Sequence, residues 1–296
     1  MPSGILLLDK PRGLSSNAAL QRVRRLLGGI KAGHAGSLDP LATGMLPICL
    51  GEATKIVGDI VAGEKRYRFT VSLGSRTASG DAEGAVTARA DVPPLGRAAV
   101  EEVLRSFLGT QPQVPPMYSA LKRDGEPLYA LARAGVTVDR APRTIELKEL
   151  KLLSFGPDVL QIEARCSKGT YIRVLAEDIA ARLGTLGHVS ALRRLAVEPF
   201  EEAAMITLDS LEAQCASGGG ASLLPLDLPL AHLPAVTLDA ARAARLLKGQ
   251  AVAGAPDGGA GAAGRVRLYD DAGRFLGIGM TDGGGVVRPR RLLNPD

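Results

Sequence analysis

The feature that most constrains the fold is a nine-residue segment, KRYRFTVSL (65–73), in which polar and apolar residues alternate. A period of two places Tyr67, Phe69, Val71 and Leu73 on one face of a strand and the polar residues between them on the other. The segment therefore predicts a half-buried antiparallel strand, followed by a turn-rich loop, GSRTASGDAEG. The segment 160–166 alternates in the same way and predicts a second strand.

Helical spacing of apolar residues occurs in several other segments. The sequence predicts helices after Ser15 or Ser16, near 52–61, over 96–108 and over 172–183, and a first strand at 5–8. Strands and helices mix without a regular βαβ rhythm, and the strands are not uniformly apolar. The expected fold class is therefore α+β, with a mixed, mainly antiparallel sheet.

The composition changes near residue 216, where ASGGGAS is followed by the proline-rich stretch LLPLDLPLAHLP. Beyond it, TLDAARAARLLKG predicts a short helix and RVRLYDDAGRFLGIGM predicts a hairpin around 271–273. We expect two domains, a larger one at 1–230 and a small β-rich module at 235–293 joined to it by a linker.

Composition and charge exclude several classes of protein. No apolar stretch reaches the roughly 18 to 20 residues of a membrane span, and no basic region precedes the first apolar run, so we expect a cytoplasmic protein. Three cysteines and three histidines are scattered along the chain, which argues against a disulfide framework and a zinc site. The net charge is +5 and arginines gather in clusters, either as solvated faces or as contacts for phosphate.

The run GHAGSLDPLATG (33–44) is the strongest candidate for a chemical site. Its glycines permit close backbone approaches, and Pro40 stiffens the chain directly after Asp39. A carboxylate fixed between two leucines suits a nucleophile or a general base, but an ordinary Asp-Pro turn explains the pattern equally well. Phosphate-loop, dinucleotide-binding, zinc-protease and serine-hydrolase motifs are absent from the sequence.

Several runs occur in an order that is similar to one known family: GILLLDKPRGLSSN, GHAGSLDPLATGMLPICLGEATK, KRYRF, QVPPMYSALKRDGEPLYALARAG, SKGTYIR and LRRLAVEPF. Together they span nearly the whole chain and resemble the bacterial tRNA pseudouridine synthase B family. The resemblance implies a catalytic domain built on a mixed, mainly antiparallel sheet, followed by an RNA-binding domain of the PUA type. It also implies a mobile RNA-contacting insertion at about 115–143.

The resemblance assigns roles to six residues. Asp39 matches the family's catalytic aspartate. The residues expected to bind the substrate are Tyr67, which would stack on the base, Arg173, which would pair with the aspartate, and Tyr171, Leu192 and His34. Without the resemblance, core packing for Tyr67, an exposed helix start for Arg173 and a turn for His34 would be adequate explanations.

The implied activity is isomerisation of uridine 55 in the T loop of tRNA to pseudouridine, by base flipping and cleavage of the N-glycosidic bond. The implied partner is the T arm of tRNA, with no membrane, metal, organic cofactor or obligatory protein partner, and we expect a monomer. Whether Asp39 attacks C1′, adds to C6 or removes a ribose proton is left open. Two rival interpretations are a non-catalytic RNA-binding protein on the same scaffold and a guide-RNA-dependent relative.

Two segments depart from the family pattern. The loop SRTASGD replaces an acidic or threonine-rich run, although Asp81 keeps its place. A glycine- and alanine-rich insertion near 253–264 leaves the loop lengths of the C-terminal domain open.

Overall fold

A computed structural model describes residues 3–257 and 263–294, in which strands form two large sheets and two short hairpins. The strands are β1 (Gly4–Lys10), β2 (Ala32–His34), β3 (Thr43–Leu50), β4 (Lys65–Leu73), β5 (Ser75–Thr77), β6 (Val86–Arg89), β7 (Gly109–Gln113), β8 (Lys122–Arg123), β9 (Glu126–Pro127), β10 (Arg143–Phe155), β11 (Val159–Cys166), β12 (Gly187–Val197), β13 (Ile206–Thr207), β14 (Ala235–Leu238), β15 (Val252–Ala253), β16 (Gly264–Asp270), β17 (Phe275–Thr281) and β18 (Val286–Leu292). The helices are α1 (Ser16–Leu26), α2 (Val57–Ala62), α3 (Arg97–Ser106), α4 (Leu128–Arg133), α5 (Ile172–Arg182), α6 (Leu208–Ala216) and α7 (Ala240–Leu247). Short 3₁₀ helices occupy Gly51–Ile56, Glu202–Ala204 and Leu228–Leu230.

The larger sheet has nine strands in the order β13-β1-β3-β12-β4-β11-β10-β7, with β2 paired to β3. The pairs β1–β13 and β3–β12 are parallel and the others are antiparallel. The expected α+β class with a mixed, mainly antiparallel sheet is confirmed. The long strand β12 lies at the centre of this sheet and pairs with both β3 and β4, so it brings the loop before β3 close to β4.

Helices cover both faces of the larger sheet and enclose its apolar residues. Helices α3 and α5 pack on β4, β10 and β11, and the buried faces of β4 and β11 carry the alternation read from the sequence. Helices α1 and α6 cover one face of β1 and β3, while the segment 51–62 covers the other. The Ser15 hydroxyl caps α1 by accepting a hydrogen bond from the backbone N–H of Ala18.

The smaller sheet has five strands in the order β14-β16-β17-β18-β15, with α7 packed against it, and it is the β-rich C-terminal part that we expected. It is attached to the segment 51–62 of the larger part by polar contacts. Arg265 Nη2 lies 2.6 Å from Asp59 Oδ1, and Lys55 Nζ donates to the Leu292 carbonyl at 2.9 Å. The backbone N–H of Asn294 donates to Glu52.

Two local predictions differ from the structure. The helix expected near 52–61 begins as the 3₁₀ helix Gly51–Ile56 and becomes α-helical only from Val57, because Ile56 has φ −111° and ψ 9°. The loop expected after β4 contains the small β5–β6 hairpin. Among the described residues no helix has the length and apolar character needed to cross a membrane. Part of the glycine- and alanine-rich insertion, 258–262, lies outside the described residues.

Candidate active site

The six residues selected from the sequence line one cavity of about 510 Å³. His34 ends β2, and Asp39 lies in the loop between β2 and β3. Strands β4 and β12 contribute Tyr67 and Leu192, and the start of α5 contributes Tyr171 and Arg173. Residues 119–121, which fall in the segment 115–143 expected to be an insertion, also line this cavity. Its volume lies within the roughly 300 to 1,000 Å³ that is usual for small-molecule pockets.

The Asp39 loop is held by contacts to the first turn of α1. The Ser16 hydroxyl accepts from the Leu38 N–H at 2.7 Å and donates to the Leu38 carbonyl at 3.0 Å. The Gly13 N–H donates to the Pro40 carbonyl at 2.8 Å. Leu38 and the neighbouring Leu41 are buried in the core of the larger sheet, so the backbone that carries the Asp39 carboxylate is held in place.

Arg173 connects three separate loops at the cavity wall. Its Nε lies 2.9 Å from Asp39 Oδ2 and 3.8 Å from Asp81 Oδ2. Its Nη1 and Nη2 donate to the Ser79 and Tyr118 carbonyls, each at 2.6 Å. Only 6% of the Arg173 side chain is exposed, so these charge-assisted hydrogen bonds lie in a water-poor region. The guanidinium thereby fixes the orientation of the Asp39 carboxylate.

Opposing influences act on the pKa of Asp39. Burial is the largest and raises the pKa of this carboxyl, and the nearby Asp81 adds to the rise, whereas Arg173 lowers it. The Asp39 side chain nevertheless keeps 41% of its surface open, on the cavity side. A carboxylate that is paired on one side and open on the other is available to react with a bound molecule.

Tyr67 and Leu192 form the apolar wall of the cavity. Both are 9% exposed, and they lie on the adjacent strands β4 and β12. Burial raises the pKa of the Tyr67 phenol, and Arg194, its Cα partner across the two strands, opposes this rise. Tyr67 is therefore protonated at neutral pH, and its side chain lines the cavity.

Tyr171 is placed by Gln113 at the start of α5. The Gln113 side chain accepts from the Tyr171 N–H at 2.8 Å and donates to the Tyr171 carbonyl at 3.1 Å. Gln113 is 6% exposed and lies at the end of β7, so the edge of the sheet positions the first turn of the helix. This contact fixes the backbone from which Arg173 also projects.

His34 lies at the end of β2 and is half-buried. Its Nδ1 is buried and, within 3–257 and 263–294, has no hydrogen-bond partner. Burial, aided by Arg194, lowers the pKa of this imidazole, so the ring is neutral at neutral pH. A neutral ring with an unused nitrogen suits contact with a polar ligand rather than with phosphate charge.

Among the other cavity residues, which were not selected from the sequence, Lys65, Ser119 and Arg194 carry buried polar groups. Arg194 lies two residues after Leu192 on β12, so strand alternation alone would have placed both on one face. Lys65 begins the alternating segment on the face of Tyr67, and burial lowers the pKa of its ammonium to about 8. The buried Ser119 hydroxyl, which has no partner in the described part of the chain, had no signal in the sequence.

Comparison with known families identifies three consecutive matches. Residues 24–172 match the TruB family pseudouridylate synthase N-terminal domain. Residues 173–230 match the tRNA pseudouridylate synthase B C-terminal domain, and residues 234–293 match the C-terminal domain of pseudouridine synthase II TruB. The cavity residues described above fall within the first two matches.

Curated relatives are similar over nearly the full length. The chain is 50% identical to tRNA pseudouridine synthase B of Aromatoleum aromaticum, over 98% of this chain and 92% of that protein. It is 50% identical to the protein of the same name in Pseudomonas aeruginosa, over 98% and 96% of the two chains. For the Burkholderia mallei protein the identity is 49% over the same shares.

Solved structures share the fold at lower identity. A chain in the crystal structure of a Cbf5-Nop10-Gar1 complex superposes with a TM-score of 0.70 at 25% identity, over 94% of this chain and 78% of that one. A chain in the structure of an H/ACA RNP bound to a substrate RNA containing 2′-deoxyuridine gives 0.73 at 21% identity, over 99% and 85%. The second likeness is one of fold alone.

Proposed function

The chain belongs to the TruB family of pseudouridylate synthases, and we propose that it isomerises uridine 55 in the T loop of tRNA, with Asp39 initiating cleavage of the N1–C1′ bond. It is a tRNA pseudouridine synthase, an isomerase that acts on RNA. The position of the target uridine and the roles of the individual residues are the proposed part.

The ion pair between Asp39 and Arg173 is the observation that supports this chemistry best. The pair joins a carboxylate that is 41% exposed to a guanidinium that is almost fully buried, on the wall of a cavity that Tyr67 also lines. Preorganised charge in a water-poor site is the usual way in which an enzyme favours a transition state in which charge develops. One reactive carboxylate beside an aromatic wall fits a flat base whose sugar carries the bond to be broken.

The target nucleotide must leave the folded T loop before it can enter this cavity. Enzymes that act on a base flip it out and hold it by stacking and by contacts to its polar edge. We assign stacking to Tyr67, an apolar contact to Leu192 and a further wall contact to Tyr171. We propose that His34 fills the space that the flipped nucleotide leaves in the RNA, because its neutral ring lines the cavity and its Nδ1 has no partner among the described residues.

The isomerisation rearranges bonds within one nucleotide and involves no change of oxidation state. Asp39 opens it by attack at C1′, by addition to C6 or by removal of a ribose proton. The freed uracil then turns within the cavity and its C5 joins C1′. Tyr67 is a candidate for helping to remove the C5 proton, because its phenol lines the cavity in which the base would turn; since the phenol is protonated at neutral pH, it would act by passing a proton on rather than as a free base.

The RNA partner that we propose is the T arm of tRNA. The exposed arginines Arg288, Arg290 and Arg291 of β18 and Arg22 and Arg25 of α1 are available for phosphate contacts. We propose a catalytic domain at 1–230, with the RNA-contacting insertion at 115–143, and a PUA-type RNA-binding domain at 235–293. A monomer in the cytoplasm, with no obligatory protein partner, stays a prediction.

A guide-RNA-dependent activity is the alternative that the fold allows. Identity is 25% to the chain from the Cbf5-Nop10-Gar1 complex, but about twice as high to proteins named tRNA pseudouridine synthase B. The stand-alone activity is therefore the better-supported proposal.

Purified protein and an unmodified T-arm stem-loop provide the direct test. With tritium at C5 of the target uridine, the wild-type chain alone should release tritium, and the new pseudouridine should map to position 55. Asp39→Asn should slow release by about 1,000-fold or more, as expected for loss of a group that acts only in the chemical step. Tyr67→Ala should keep RNA binding and lose most turnover.

Asp9→Asn is the matched control, because Asp9 also accepts from an arginine at 2.9 Å, Arg193, but does not line the cavity. It should stay within about tenfold of the wild type. Release that persists in Asp39→Asn would refute the assignment of Asp39. Release only after addition of a guide RNA, or binding without release, would establish one of the alternatives.

A further inference from the structure

Arg194 is a buried cation without a carboxylate partner. Its side chain belongs to the largest fully buried ones, and the residue is 1% exposed. Its Nε donates to the Met45 carbonyl at 2.7 Å and its Nη2 to the Gly36 carbonyl at 2.9 Å. Within the described part of the chain no carboxylate oxygen lies within 4.0 Å of it, whereas Arg173 and Arg193 each have one at 2.9 Å.

Such an arrangement is costly for the fold. A buried charge loses its hydration, and neutral carbonyls compensate for this less completely than an opposite charge does. Packing alone does not require a guanidinium here, because a long apolar side chain would fill similar space without the loss. The cation therefore points to a negative charge that the folded chain does not itself provide.

The position of Arg194 identifies where that charge would form. Arg194 lines the cavity that contains Asp39, and its Cα partner across the strands is Tyr67. A guanidinium has five N–H groups, and the two backbone carbonyls use only two of them. Three N–H groups remain, and the Tyr67 phenol on the aromatic wall of the cavity is close enough to accept from one of them.

A second buried cation acts in the same direction. Lys65, which is 7% exposed, also lines the cavity, and its ammonium is bound by the Val61 and Gly63 carbonyls rather than by a carboxylate. Asp39, in contrast, is already paired with Arg173. The aromatic side of the cavity therefore carries positive charge in excess, which suits an anion held there.

We propose that Arg194 stabilises the negative charge that develops on the uracil ring when its bond to C1′ breaks. This inference rests on the proposed function. The C1′–N1 bond breaks heterolytically and its electron pair leaves with the base, while Asp39 either bonds to C1′ or takes a ribose proton. When C5 of the base bonds C1′, the Asp39–C1′ bond breaks or the ribose proton returns from Asp39, so Asp39 is again a free carboxylate. C5 then loses its proton and N1 gains one, so that atoms and charge balance.

The substrate before cleavage is neutral, so a cation placed at the base favours the transition state over the bound ground state. Arg194 also draws down the pKa of the Tyr67 phenol against the effect of burial, which is a sign of positive potential at this wall. The same potential that acts on the phenol would act on a base stacked against its ring.

The test compares two T-arm stem-loops that differ only in the target, uridine or 5-fluorouridine. Fluorine withdraws electrons, so the departing base carries its charge with less help from the protein. Single-turnover rates are obtained by digesting the RNA and separating the rearranged nucleosides. Arg194→Gln should lower the rate with uridine by about 100-fold, the effect of removing one transition-state donor, and the rate with 5-fluorouridine by about tenfold or less.

The rate ratio of the two substrates is measured on one preparation, so a reduced folded fraction cancels. Arg194→Lys keeps the positive charge and loses the planar guanidinium. It should give a uridine to 5-fluorouridine rate ratio between those of the wild type and Arg194→Gln. Arg193→Gln, which changes the next residue on the same strand, should keep the wild-type ratio.

Equal losses on both substrates would mean that Arg194 only supports the structure, and would overturn the inference. A slowing by deuterium at C5 that appears only in Arg194→Gln would also overturn it, because the charge would then act on proton removal through Tyr67. A wild-type chain that forms no pseudouridine refutes the proposed function instead, which keeps the two failures distinct.

Discussion

Replacing Arg173 by methionine removes one side chain that bonds to three loops, and its cost can be worked from their contacts. The change leaves Asp81, whose side chain is 6% exposed, without its nearby cation, and leaves the Ser79 and Tyr118 carbonyls without their donors. Breaking a buried ion pair costs about 3 to 5 kcal/mol. Here the loss should be nearer 2 kcal/mol, because Asp39 is 41% exposed and water replaces its partner.

Each orphaned carbonyl adds about 1 kcal/mol, so the free energy of unfolding of Arg173→Met should fall by about 4 kcal/mol. Asp81→Asn should cost about 1 kcal/mol, because its Oδ1 still accepts from Ser79 Oγ and the Glu83 N–H. The double variant removes the uncompensated charge. It should therefore be about 1 to 2 kcal/mol more stable than the sum of the single losses predicts.

Urea unfolding of the four proteins at pH 7 measures this coupling. Arg193→Met is the control, because that arginine also pairs with an aspartate at 2.9 Å but is 33% exposed, and its loss should cost about 1 kcal/mol or less. Losses that add within about 0.5 kcal/mol would refute the reasoning, since they would show that Asp81 and Arg173 do not share one buried network.

Two further predictions concern the pKa of Asp39 and the packing of β3. Asp81 helps to raise the pKa of Asp39, so Asp81→Asn should keep Asp39 ionised to lower pH. The acid limb of the pH profile of the single-turnover rate should therefore move to lower pH, and a limb that does not move would contradict this. Gly44 has φ +95°, and a Cβ there would lie 2.2 Å from the Arg194 carbonyl oxygen. Gly44→Ala should therefore reduce the free energy of unfolding by about 3 kcal/mol or more and impair turnover. Gly33→Ala, whose Cβ would meet nothing closer than 3.9 Å, should cost about 1 kcal/mol or less, and equal losses in the two variants would refute the argument.

Elements with one exposed and one buried face were predictable from the sequence. Strand β4 and helix α5 both have a clear period, because solvent on one side and core on the other impose it. Strand β3 was not predicted, since seven of its eight residues are buried and it contains Pro47, so no alternation marks it. Strand β10 is interrupted by two register shifts, which disturb its pattern.

The candidate site was predictable only in part from the residues themselves. The glycine-rich loop indicated a fixed carboxylate at Asp39, and Gly36 and Gly44 do have positive φ, whereas Gly33 does not need to be glycine. The burial of Arg173 depends on carbonyls of Ser79 and Tyr118, which are remote in sequence. A helix start alone does not reveal such partners, so the resemblance to a family was needed to select this residue.

The attachment of the smaller sheet bears on which nucleotide of a bound RNA would reach the cavity. Three of its polar contacts fall on the segment 51–62, which runs through Gly63 into β4 and Tyr67, and a further one joins the Tyr269 hydroxyl to Asp227. The carbonyls of Val61 and Gly63 in the same stretch hold the Lys65 ammonium at the cavity wall. The segment 51–63 is therefore a direct connection between the smaller sheet and the cavity, and we expect it to keep the spacing between them constant. If an RNA binds at both places, this spacing would select the nucleotide that lies at one fixed distance from the part bound by the smaller sheet, and would place that nucleotide at Asp39.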